Sequence, residues 1–176
     1  MHIAALVAAG IAAFTDYRSG RMPNRVTLGA LALGFAARPC LALFESGSTG
    51  FATALASCAI GGVVTAIAPL LLWRANALGG GDVKLFVALG VLLGPVIGLE
   101  AQMMAFAAGA LFVPFRLAYE GRLFATLWRS LTLVTNVFTS AERRRPIDSA
   151  ALTWFRLGPM ILVGTFLAII SRTQLH

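Results

Sequence analysis

Charge is scarce in this sequence. Asp, Glu, Lys and Arg together make up 12% of its 176 residues, about half the quarter expected of a soluble globular protein. So few charges cannot cover a water-facing surface, and 59% of the residues are apolar, with a mean hydropathy of +0.84. A bilayer removes the need for cover, because the outer face of each helix then meets lipid. Histidine is also nearly missing: His2 and His176 stand at opposite ends. The two cysteines, Cys40 and Cys58, have neither CxxC spacing nor a histidine beside them. That leaves no thiolate or imidazole metal site to assemble, and neither a metal nor a cofactor is expected. The length suits one compact unit, residues 1–176, and not two independent enzymatic domains.

Basic residues are plentiful by comparison. Lys and Arg number 14 against 7 for Asp and Glu, and the pI is near 11.0. In a soluble protein that balance suggests nucleic acid. Here the cations fall between apolar runs, where they set topology beside anionic lipid headgroups, so the expected partner is membrane lipid and not nucleic acid.

The apolar runs divide the chain into about six segments. They are residues 3–15, 26–44, 51–73, 83–99, 101–118 and 154–170, with a tight turn near Glu100 between the fourth and fifth. The first lacks a basic residue before it and reads as a retained helix, not as a cleaved signal peptide. In the second, Arg38 is expected to reach the far interface and Pro39 to end or kink the helix. Residues 119–153 are polar and basic, and an interfacial helix over 124–138 is expected within them. Placing the links after segments one, three and five on one side collects twelve cations there, leaving only Arg38 and Arg172 on the other. By the positive-inside rule that side is cytoplasmic. The expected fold is therefore all-α and polytopic, about six transmembrane helices with both termini outside.

Only three aspartates occur. Asp148 lies in the polar stretch, where a solvated acid or helix cap suffices. Asp16 directly follows the apolar run ending in Thr15, and Asp82 directly precedes the run beginning at Val83. Each sits at a membrane boundary, on the same predicted side, where a lone carboxylate is costly. Two carboxylates sharing one proton supply a general base for water and a general acid for a departing amide nitrogen. The same placement also suits a proton or ion path, an N-cap, or ion pairs with Arg18 and Lys84. Gly79, Gly80 and Gly81 point to a backbone that must come close to something.

At these residues the sequence resembles the type IV prepilin peptidase family, the GxGD membrane aspartic peptidases. The GxGDxK pattern appears as Gly79-Gly80-Gly81-Asp82-Val83-Lys84, and the string DYRSGRMPN supplies Asp16, Arg18, Pro23 and Asn24. The resemblance implies Asp16 and Asp82 as catalytic residues, supported by Arg18, Pro23, Asn24, Gly79, Gly81 and Lys84. It implies an aspartic endopeptidase that removes the cytoplasmic leader from prepilin or pseudopilin precursors. The implied location is the bacterial inner membrane, with the site facing the cytoplasm and pilus assembly machinery as a further partner. The paired CxxC region of longer, methylating members is absent, so the chain looks like the short branch serving Flp/Tad pili. Near the C-terminus, RLGPMILVG keeps Pro159 and Gly164 but has Leu157-Gly158 where relatives often carry a first proline. The rival readings are a proton- or ion-coupled small transporter, which favours acids deep within spans and internal repeats, and a non-catalytic pilus or secretion assembly protein.

Overall fold

The computed structural model describes residues 1–20, 22–119 and 157–174. Every element among them is a helix: α1 (His2–Ser19), α2 (Asn24–Arg74), α3 (Gly80–Leu93), α4 (Pro95–Tyr119) and α5 (Gly158–Thr173). The chain divides into two units, Met1–Ala108 with Arg156–His176, and Gly109–Phe155. Of the second unit only the end of α4 belongs to the described residues. The interfacial helix expected over 124–138, and most of the basic stretch 119–153, lie outside them.

α2 is nominally 51 residues long. Drawn straight it would measure about 77 Å, more than twice the hydrocarbon thickness of a bilayer. It does not run straight. Gly47 takes φ 66°, ψ −154°, which breaks the helix, and the chain folds back there. The Cys58 thiol reaches the Gly34 carbonyl at 3.6 Å across 24 residues, which in an unbroken helix would be about 36 Å apart. The expected turn between the second and third segments is thus a single glycine in a left-handed conformation. Pro39 lies inside the first arm without ending it.

Beyond its first turn α3 is apolar on every face, and such a stretch has to be buried. Val83, Leu85, Phe86, Ala88, Leu89, Val91, Leu92 and Leu93 are all buried, with the Phe86 ring tilted against Phe106 of α4 at 5.2 Å. α3 is the hub of its unit. The turn after it falls at Gly94, φ 83°, followed by Pro95 as the first residue of α4, and not near Glu100 as the charge pattern implies. Proline lacks the N–H that the first helical turn leaves unbonded anyway, so Gly-Pro ends one helix and starts the next without a loop. Arg38 turns onto this end of α3, its guanidinium donating to the Val91 carbonyl at 3.4 Å, one of the carbonyls a helix C-terminus leaves free. Glu100 instead pairs through both oxygens with Arg172 near the end of α5, where Nε donates at 3.0 Å.

Small residues line the helix crossings: a Cβ on Gly61 would fall 2.2 Å from the Gly90 carbonyl oxygen, and one on Gly164 2.4 Å from the Ala105 nitrogen. Helices therefore cross backbone to backbone, the arrangement small residues permit in lipid. Away from the α3 core, many large apolar side chains face outward, among them Phe44 at 87%, Phe115 at 81% and Ile3 at 79% exposure. An apolar rim this extensive has no place on a soluble monomer. Asn24–Arg74 and Pro95–Phe112 are long and apolar enough to cross a membrane, and Gly158–Thr173 is a shorter apolar helix.

Candidate active site

The buried face of α1 reads Ala5, Ala8, Ala9, Ala12, Ala13, Asp16. These positions recur at helical spacing, so Asp16 continues an alanine stripe and its side chain is carried inward with it. Asp16 is 8% exposed. Because the stripe is alanine, α5 can come close: a Cβ on Gly158 would fall 2.9 Å from Asp16 Cβ and 3.1 Å from Ala13 Cα. At that crossing the Gly158 N–H donates to Asp16 Oδ2 at 3.0 Å. Gly158 is the first residue of α5, whose N–H groups have no partner within the helix, so the carboxylate serves as an acceptor at the positive end of a helix.

Asp82 stands in the first turn of α3, one residue ahead of the apolar run. The helix is entered through Gly79, extended at φ −75°, ψ 145°, and Asp82 reaches back to accept the Gly79 backbone N–H, as an acid at the third helical position does in a capping box. Burial, and next the charge of Asp16, raise the Asp82 carboxyl from 3.8 to about 7, while the Gly79 hydrogen bond pulls the other way. The two acids the sequence singles out thus lie near enough for one charge to act on the other, although 66 residues separate them in sequence.

The supporting residues divide. A Cβ on Gly79 would fall 3.0 Å from Asp82 Oδ2, and one on Gly81 2.9 Å from the Met22 Cβ, so these two glycines hold the approach of α3 to the carboxyl and to the α1–α2 link. Pro23 is the residue ahead of α2, extended at φ −69°, ψ 129°. Asn24 Oδ1 accepts from Lys84 Nζ at 2.9 Å, joining the start of α2 to the first turn of α3 and the two sequence motifs to each other. Lys84 is therefore turned toward Asn24. Arg18 is exposed in the last turn of α1. Among the described residues no three of His, Cys, Asp or Glu come together as a metal site.

Residues 3–114 match the type IV leader peptidase family. The chain belongs to that family. The matched residues of this leader peptidase family member include both aspartates and all six supporting residues. A stretch of 90 residues, 51% of the chain, is 38% identical to the prepilin peptidase EppA of Methanothermobacter thermautotrophicus, and covers 22% of that relative's length. No solved structure matches the chain. Family membership and the long apolar helices together make this a membrane protein. Gly158 falls outside the matched residues. In the sequence Gly158 stands out only as a missing proline, yet a proline there could not donate to Asp16.

Proposed function

We propose that this protein is an aspartic endopeptidase of the cytoplasmic membrane. It removes the cytoplasmic leader peptide from type IV prepilin-like precursors, of the Flp/Tad kind, with Asp16 and Asp82 as its catalytic pair. What supports the reading is that Asp16 and Asp82, at the ends of α1 and α3, lie within reach of each other's charge in a chain of the type IV leader peptidase family. A prepilin-like precursor offers a short basic leader on the cytoplasmic side and an apolar helix in the membrane, so its scissile bond comes to the interface. In the proposed topology of six spans with both termini outside, the pair lies at that depth. The ionised carboxyl takes a proton from water as its oxygen attacks the peptide carbonyl. The protonated carboxyl gives its proton to the amide nitrogen as the C–N bond breaks. The pair keeps one proton throughout, and its transfer between the two acids resets the site.

The test is co-expression with a prepilin encoded by the same genome, followed by gel mobility and N-terminal sequencing of the product. Parent protein should trim the leader, while Asp16→Asn and Asp82→Asn, present in the membrane at parent level, should leave the precursor intact. Cleavage that persists at parent rate in either variant refutes the paired-aspartate reading.

A further inference from the structure

The last helix reaches the catalytic pair through one backbone group. α5 begins at Gly158, and the Gly158 N–H donates to Asp16 Oδ2 at 3.0 Å in a buried contact spanning 142 residues. No side chain intervenes: a Cβ at this position would stand 2.9 Å from both Cβ and Oδ2 of Asp16. Pro159 follows inside the first turn of the helix. A proline has no N–H to donate, so of these two neighbours only Gly158 can bind the carboxylate.

The two acids are held unequally. Asp16 is buried, and its Oδ2 is tied to the start of a 16-residue helix that belongs to a distant part of the chain. A hydrogen bond donated to a carboxylate, at the positive end of a helix, favours negative charge on it. Asp82 is less buried and, among the described residues, is bonded within its own first turn, to the Gly79 N–H. Among the described residues, the neighbouring charged groups are placed elsewhere. Lys84 on α3 is bonded to Asn24, Arg25 at the start of α2 and Arg18 on α1 are exposed, and residues 157–171 of α5 carry no titratable side chain. Among the described residues, Asp82 is thus the titratable group on a helix packed against α1 that lies within reach of the charge of Asp16.

We propose that Gly158 is a positioning residue of the pair: its N–H fixes Asp16 and keeps the negative charge there, so that Asp16 is the base and Asp82 the acid. This rests on the peptidase reading above. In the resulting step the water proton goes to Asp16, the water oxygen bonds the peptide carbon, and the Asp82 proton goes to the leaving nitrogen. Asp16 then returns its proton to Asp82. The upward displacement of the Asp82 carboxyl to about 7 agrees with this order.

The decisive change removes the N–H and adds no bulk. Replacing the amide of Gly158 by an ester does so, with glycolic acid delivered at that codon in cell-free translation into nanodiscs. The readout is the pH dependence of leader cleavage. Loss of the donor should move the acid limb of the rate profile upward by about one pH unit, lowering cleavage about tenfold on the acid side and little above neutrality. A merely structural lesion lowers the rate at every pH and leaves the limb in place. Gly158→Ala keeps the N–H but pushes Asp16 off it. It should shift the limb in the same direction, and it decides the matter if the ester chain fails to insert. An unmoved limb in an active variant refutes the role of Gly158 while leaving the peptidase reading intact. Parent-level cleavage by Asp16→Asn overturns both.

Discussion

Two glycines of the same helix should respond in opposite ways to the same methyl group. Gly29 and Gly61 both lie in α2. A Cβ on Gly29 meets nothing within 4 Å, whereas on Gly61 it falls 2.2 Å from the Gly90 oxygen and 3.0 Å from the carbonyl carbons of Gly90 and Gly94. All three neighbours are main chain, so no side chain can rotate away and the second arm of α2 must back off from α3. Overpacking of this kind costs about 1–3 kcal/mol, and contacts that cannot yield belong at the upper end. Alanine regains up to about 1 kcal/mol of helix propensity at either site. Gly29→Ala should therefore be neutral or stabilising by about 1 kcal/mol, and Gly61→Ala destabilising by about 2 kcal/mol. Cys58 supplies the probe, being fully buried beside Gly34, while Cys40 is exposed. In a Cys40→Ser background, a thiol-reactive dye reports when the two arms of α2 part on heating. Gly61→Ala melting at or above the temperature of Gly29→Ala would falsify the backbone crossing of α2 on α3.

Asp82 predicts a pH dependence of stability and of turnover. Its carboxyl is raised in the folded protein, from 3.8 to about 7, so between those values the folded state holds a proton that the unfolded state has lost. Stability should fall as pH rises from about 4 to 7 and level off beyond. Asp82→Asn should flatten that slope in melting curves recorded across the range, and an unchanged slope assigns it to another group. Cleavage by the parent should decline above about pH 7 as the pair loses its shared proton. The Lys84–Asn24 hydrogen bond should appear as a coupling of about 0.5–1.5 kcal/mol in a double-mutant cycle of Lys84→Met and Asn24→Ala. Additive effects mean that the two motifs are not joined there.

What could be read in the sequence was local. Asp16 and Asp82 announce themselves because an acid next to an apolar run is costly and because the residues around each form a recognisable string. The helical spacing from Ala5 to Asp16 also states which way Asp16 points. The Gly94-Pro95 pair was equally visible, but Glu100 drew the turn to itself because a charge between apolar runs is a louder signal than a glycine. Gly158 could not be found this way. Its part in the site is a backbone N–H, which every residue but proline carries, and its acceptor lies 142 residues away. The glycines at 61 and 90 likewise promise a close crossing without saying which helix each will meet. Pairings of that sort are decided by the whole unit at once.

The hub helix is also the short one. α3 has 14 residues, about 21 Å of rise, against about 30 Å of hydrocarbon in a typical bilayer. The arms of α2 beside it, at 23 and 27 residues, measure about 34 and 40 Å. With no loop at Gly94 to lengthen it, α3 cannot reach both surfaces of such a bilayer. Either the bilayer thins around the protein or one end of α3 lies below the headgroups. Membrane thickness then becomes a variable of the chemistry: lipids with longer acyl chains would draw Asp82 deeper and starve it of water, and shorter ones would bring it to the surface.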